Sequence, residues 1–403
     1  MKIKLDIIKI FFISCVGIVL PWGRNFPIPH VYPPLFFVIF TFILMFYLPR
    51  TGIRIPLIFR LFILYILLHI VLTITFLGNN YLALVHVEGQ MVGGIRSYYV
   101  STTVFSNIAQ LLFFICFFII MASVIKNKME WMGFACSFIC GLALACLWTL
   151  KSQGIANVRF TGGYNNANGI GISAAIAFFL SITMMGMLKN KLLKTIAIGL
   201  AIFFLIILLL SQSRGALVAL LIGGFIIFRD NKLPLHKILL VATFLVIVLI
   251  FIWPLVPERF LIIDSWIEDR GTKRLDIWRI YISHFWDFFF TGVGYTRSTD
   301  VITTGLLGNA YATHNVFLEL LVEFGIGGLL LFCLVLKNIW ASLRRLAGRF
   351  SYTAALKATF LSWILGACFT SSFVQRETWL IFALMATFPL ITDTSSRLMR
   401  TNE

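Results

Sequence analysis

Apolar runs long enough to cross a bilayer recur from one end of this 403-residue chain to the other. Hydrocarbon offers no partner to backbone N–H and C=O groups, so such runs must close their own hydrogen bonds. The chain is 60% hydrophobic and only 12% charged, more apolar surface than a soluble domain of this length can hide. The pattern predicts an all-α polytopic integral membrane protein. About twelve transmembrane helices are expected, near 6–21, 33–49, 56–77, 104–125, 131–150, 168–187, 194–210, 214–228, 237–253, 314–336, 353–373 and 378–392. The early run "IIKIFFISCVGIVLPW" has lysines before it and no small-residue cleavage site after it, so it reads as a first span and not a removed signal peptide. Residues 1–403 read as a single membrane domain.

A formal net charge of +17 could suit nucleic acid, but the basic residues are dispersed through short loops. Lys2, Lys4 and Lys9 begin the chain, and alternate loops carry pairs and triplets such as Arg50 and Arg54, Lys126 and Lys128, and Lys189, Lys191 and Lys194. This is the positive-inside pattern. It puts both termini in the cytoplasm and leaves no need for a nucleic-acid partner. The seven cysteines all fall within expected spans, and no metal-ligand cluster stands out, so neither a metal nor a cofactor is expected.

The longest connection, residues 254–313, falls on the outer, periplasmic side in this topology. A long loop in a compact protein is usually functional. Within it "TKRLDIWRIYISHFWDFFF" has helical periodicity. Ile277, Trp278, Tyr281, Ile282, Phe285 and Phe289 form one face, and Asp276, Arg279, Ser283 and Asp287 the other, as in a helix lying on membrane lipids. Asp276 precedes Arg279 by three residues and suits a local ion pair. Arg274 shares the apolar side and has no carboxylate there. It either snorkels to lipid phosphates or grips a phosphate of a lipid-borne substrate.

Three further stretches carry candidate chemistry. In "LLLSQSRGALVAL", Arg214 sits between two apolar runs at the start of an expected helix, where the guanidinium and helix amides could bind an anion. An ion pair with Glu319 or Glu323 is the structural alternative. Arg159 lies in the polar segment "KSQGIANVRFTGGYNNANGIGI", whose Asn and Gly residues suit turns. "NAYATHNVFLELLVEFGIGG" puts His314 at the mouth of an apolar helix, with Asn315, Glu319 and Glu323 along one side at four-residue spacing. His314 is either a helix-end residue bonded to a carbonyl or a general base. The glutamates have no basic residue on their own helix, which leaves Arg214 and Arg60 as candidate partners. Glycines 325, 327 and 328 suit close helix packing or a bend.

Taken in order, "RFTGGYNNANGIG", "QSRGALVAL", "GTKRLDIWR", "FTGVGY" and "THNVFLELLVEFGIGG" resemble the bacterial O-antigen ligase and O-antigen polymerase superfamily over roughly residues 150–340. The resemblance implies a metal-independent glycosyltransferase at the outer face of the inner membrane, with a glycan on undecaprenyl pyrophosphate as donor. The acceptor would be lipid A–core oligosaccharide in a ligase, or another lipid-linked repeat in a polymerase. Carried over by motif, the resemblance assigns Arg214 and Arg274 to the pyrophosphate and His314 to activation of the acceptor hydroxyl. Arg159, Arg279, Asn315, Glu319 and Glu323 are candidate supporting residues. One dominant outer loop suits a ligase better than a polymerase. A transporter of lipid-linked oligosaccharide is the reading from another class, against which stand the absence of repeated halves and the gathering of candidates at the outer face.

Overall fold

The computed structural model describes residues 2–22, 33–47, 55–86, 93–153, 160–161, 167–231, 274–295, 313–348, 350, 352–370, 373 and 375–400, with side chains outside 2–5, 33–34, 73–105, 153, 390 and 392–400. Among the described residues all regular structure is helical. The helices are α1 (Lys2–Val19), α2 (Pro33–Met45), α3 (Leu57–His86), α4 (Gly93–Val124), α5 (Lys128–Gln153), α6 (Ala167–Met187) and α7 (Lys191–Leu210). They continue with α8 (Arg214–Asn231), α9 (Arg274–Ser283), α10 (Phe285–Phe288), α11 (Val316–Arg345), α12 (Thr353–Ala367) and α13 (Arg376–Arg400). Helices lie over the expected spans except 237–253, which falls outside the described residues together with most of the loop 254–313. Five helical stretches are long and apolar enough to cross a bilayer: Ser106–Val124, Lys128–Ser152, Ala167–Met187, Lys191–Leu210 and Val316–Arg345. Three shorter ones, Leu35–Met45, Leu57–Leu72 and Thr353–Ala367, are apolar too, so the twelve crossings exceed what length and composition support among the described residues.

One core cluster joins α1 through α8 with α11, α12 and α13. Aromatic rings knit its centre, with Phe332 against Phe62, Phe373, Phe382 and Trp363. Close crossings use small residues: a side chain at Gly141 would strike the backbone of Ile18 where α1 meets α5. Large apolar side chains also stand bare on outer faces, among them Leu61, Leu64, Leu68 and Leu72 along α3 and Leu221 and Phe225 on α8. Soluble surfaces do not carry such continuous patches, whereas lipid covers them without cost. The chain is a membrane protein.

The bundle has two chemically distinct ends. At one end, Lys9 of α1 pairs with Glu130 of α5, and Lys357 of α12 pairs with Asp230 at the end of α8, 2.9 Å away. Lys9 and Lys357 are both buried, so Lys9 has structural work besides its place in the basic pattern. At the other end, Arg376 at the start of α13 donates to the carbonyls of Leu20 and Trp22 and caps α1. His314 and Arg214 lie at this second end.

Candidate active site

Helix α11 is not the simple apolar rod that its sequence suggests. It begins at Val316, capped by the Asn315 side chain, which accepts from the amides of Phe317 (2.9 Å) and Leu318 (3.0 Å). It breaks at Gly325, whose φ of 68° and ψ of −173° are open to glycine alone. The expected bend is therefore at this glycine, and Gly327 and Gly328 sit against Tyr65.

A break inside an apolar helix frees backbone groups that need partners. The segment Phe289–Gly294, from the "FTGVGY" stretch, supplies them. Val293 N–H donates to the Val322 carbonyl (2.8 Å), Gly294 N–H to that of Glu323 (3.1 Å), and Ile326 N–H to that of Phe289 (2.7 Å). The Tyr65 hydroxyl donates to the Phe324 carbonyl (2.8 Å), and His69 Nε2 meets the Thr291 carbonyl at 2.6 Å. Gly292 and Gly325 both have positive φ and lie so close that a Cβ on either would strike the other strand's backbone. Two motifs far apart in sequence thus form one zipped unit. Their glycines signal a turn, but nothing in their spacing signals the pairing.

Helices α9 and α10 precede this strap and pack on the N-terminal half of α11. Ile277, Tyr281, Phe288 and Val322 form a satellite core, flanked by Trp278, Phe285, Leu318 and Leu321. The expected single surface helix is in fact two, with a turn at His284, whose Nδ1 meets Asp287 Oδ2 at 2.9 Å. Ile277 and Tyr281 of its apolar face pack on Val322 of α11. Ile282, expected on that face, is 68% exposed, because it lies well over 90° around the helix from Ile277.

Arg274 opens α9 and is half-buried beside that covered face. Its Nε is buried and makes no hydrogen bond among the described residues. Burial pulls the guanidinium below its ordinary value. One turn later, the Trp278 indole donates to the Thr313 carbonyl at 2.8 Å, which joins α9 to the residue before His314. His314 has a φ of 49°, a left-handed conformation rare outside glycine. It is partly buried, and burial first and the Arg274 charge second draw its imidazole below the ordinary histidine range. His314 and Arg274 therefore share one electrostatic environment. Arg279, by contrast, is exposed on α9.

Because His314 precedes the helix, its five-residue spacing to Glu319 says nothing about which side it faces. Glu319 accepts a hydrogen bond from the Phe373 backbone N–H, while its Oε2 is buried with no hydrogen-bond partner among the described residues. Arg60, the other candidate partner, donates from Nε to the Ile55 carbonyl at 2.9 Å. Glu323 is 4% exposed. Tyr295, which sequence reasoning quoted within a motif without giving it a role, is buried and donates to the Asn107 carbonyl at 3.2 Å. Its hydroxyl is pushed above the ordinary tyrosine range by burial, then by Glu323 and Glu319, so the three groups are neighbours.

Arg214 stands at the first turn of α8, as its sequence context suggests. Ser213 caps the helix through Ala216 N–H (3.3 Å) and donates to Asn168 Oδ1 (3.1 Å) at the start of α6. Gln212 before it has a φ of 52°, which makes the hairpin sharp. Gly215 packs on Phe369, in the connection that also supplies the Phe373 amide to Glu319. The Arg214 hairpin and the Glu319 carboxylate are thereby joined through one short segment between α12 and α13. Arg159 lies outside the described residues.

Comparison with curated proteins finds no match. The model of the O-antigen ligase family (Wzy_C) matches residues 199–333. That stretch runs from α7 through the Arg214 hairpin, α9 and His314 to beyond the break in α11, and it belongs to the O-antigen ligase family.

Proposed function

We propose that this protein is an O-antigen ligase, a metal-independent inverting glycosyltransferase of lipopolysaccharide biosynthesis. It moves an O-antigen glycan from undecaprenyl pyrophosphate to lipid A–core oligosaccharide at the periplasmic face of the inner membrane. The observation that carries this reading is the electrostatic influence of Arg274 on His314, together with a buried Arg274 Nε that has no acceptor among the described residues, inside the family-matched stretch. A buried guanidinium N–H without a protein acceptor is costly, and a pyrophosphate oxygen satisfies it.

In the reaction the acceptor hydroxyl oxygen attacks the anomeric carbon of the donor glycan. Its proton passes to the His314 imidazole, which burial and Arg274 hold in the neutral form that can accept it. The bond from that carbon to the pyrophosphate oxygen breaks. Arg274, together with Arg214 and the amide end of α8, takes up the negative charge developing on the leaving group. One displacement inverts the carbon. Asn315 fixes the start of α11 behind His314, and Glu319 and Glu323 lie one and two turns further in.

The test is His314→Ala in a Gram-negative host, with surface lipopolysaccharide and undecaprenyl-linked glycan read together. The expected result is loss of capped lipopolysaccharide with long polymer retained on undecaprenyl, and a 10²- to 10⁴-fold lower rate for the purified protein. A single repeat unit in both pools would make the protein a polymerase. Normal ladders from a stably expressed variant would remove His314 from the chemistry and favour a transporter.

A further inference from the structure

Residues 313–315 are held from two directions. From behind, Asn315 caps α11 with its side chain, and the Thr313 hydroxyl donates to the Asn315 carbonyl at 3.2 Å. From the front comes a long-range bond, Trp278 Nε1 to the Thr313 carbonyl, spanning 35 residues of sequence. Thr313 is 2% exposed, so this carbonyl has little water to fall back on. Between the two holds, His314 sits in a left-handed backbone conformation. A non-glycine residue persists there only when its surroundings over-determine it. Trp278 itself is fixed by the satellite core, and Arg274 lies four residues earlier on the same helix.

From this arrangement we infer that Trp278 is a positioning residue, whose indole N–H sets His314 at a fixed place relative to Arg274. The inference rests on the reading of His314 as the base. One rigid helix then carries both the group for the leaving pyrophosphate and the tether for the group that takes the acceptor proton. Reacting atoms displaced by about 1 Å can lose about 10²-fold in rate, so a single hydrogen bond at this point has leverage beyond its contribution to folding.

Trp278→Phe keeps an aromatic ring in the satellite core and removes only the donor. In the full-length protein, with lipid-linked glycan and lipid A–core as substrates, kcat should fall about 10- to 100-fold with the donor KM unchanged. A merely structural loss would lower the fraction of folded protein without changing the reactivity of His314 in what remains. The second readout is therefore carbethoxylation of His314 by diethyl pyrocarbonate, followed by mass spectrometry on the monodisperse fraction. It should quicken several-fold in Trp278→Phe and stay at the wild-type rate in Trp286→Phe, a change at an exposed site. Wild-type kcat together with a wild-type modification rate in Trp278→Phe overturns the inference. Wild-type kcat in His314→Ala overturns instead the reading on which it rests, and the modification rate still decides whether the tether exists.

Discussion

His314 is useful as a base only while it is neutral, and its setting extends that condition toward acid. Burial and the Arg274 charge both disfavour the imidazolium, so the neutral ring persists below pH 6.5, the ordinary histidine value. The acid limb of kcat/KM for glycan transfer should lie below that value, with activity lost as pH falls through it. Arg274→Gln should lower the maximum about 10²-fold and move the limb upward, because one of the two disfavouring influences is gone. A limb that stays in place would mean that Arg274 does not act on His314. At this scale the sequence exposes residue chemistry but not contacts. His314, Asn315 and Arg274 stand out because polar residues at the edge of apolar segments are conspicuous. Trp278 and Tyr295 do not, since an aromatic residue in an apolar face looks like packing, and its one polar atom finds a partner only in three dimensions.

Among the elements, α11 departs most from its sequence pattern. From Phe324 to Leu336 its apolar run passes through Gly325 without a proline or a charged residue, so length and periodicity describe one helix. The break becomes visible only with the strap that satisfies it. Gly325→Ala should cost about 1–3 kcal/mol, since alanine must adopt a positive φ and its Cβ meets the Phe290 carbonyl. Thermal unfolding in detergent reads this as a lowered Tm. Gly224→Ala on α8, with no atom near the added Cβ, should be neutral or raise stability by about 0.4–1 kcal/mol. Equal effects at the two sites would remove the strap from the account. For α9, helical periodicity puts Ile277 and Tyr281 on the apolar face, and both are buried, but it does not say what covers them. A lipid-facing stripe and a stripe packed on a neighbouring helix have the same composition.

Across the whole molecule, the placement of helices was largely legible because each must be apolar along its length. Which helices touch was not. Lys9 and Glu130 are separated by most of four helices, yet form a buried pair that also takes in the Val124 carbonyl. Breaking one side of such a pair leaves an uncompensated charge. Lys9→Met should therefore cost about 3–5 kcal/mol, and Lys9→Met with Glu130→Gln should recover most of it. Glutamine retains an oxygen for the Lys126 N–H that Glu130 now accepts at 2.7 Å. Denaturation of both variants in the same detergent checks the difference. Additive losses would show that the pair is not coupled.

The zipped break in α11 also limits how this chain can change over time. The N-terminal half of α11 is pinned at both ends, by the Asn315 cap and by the strap at Gly325, and its register cannot slip to absorb a change in length. One residue inserted between Val316 and Phe324 would turn Glu319 or Glu323 by about 100° and pull His314 away from Trp278. The separation from His314 to Gly325, and the four-residue step from Arg274 to Trp278, should therefore be kept without gaps in any descendant that still works, even where the side chains between them have been exchanged.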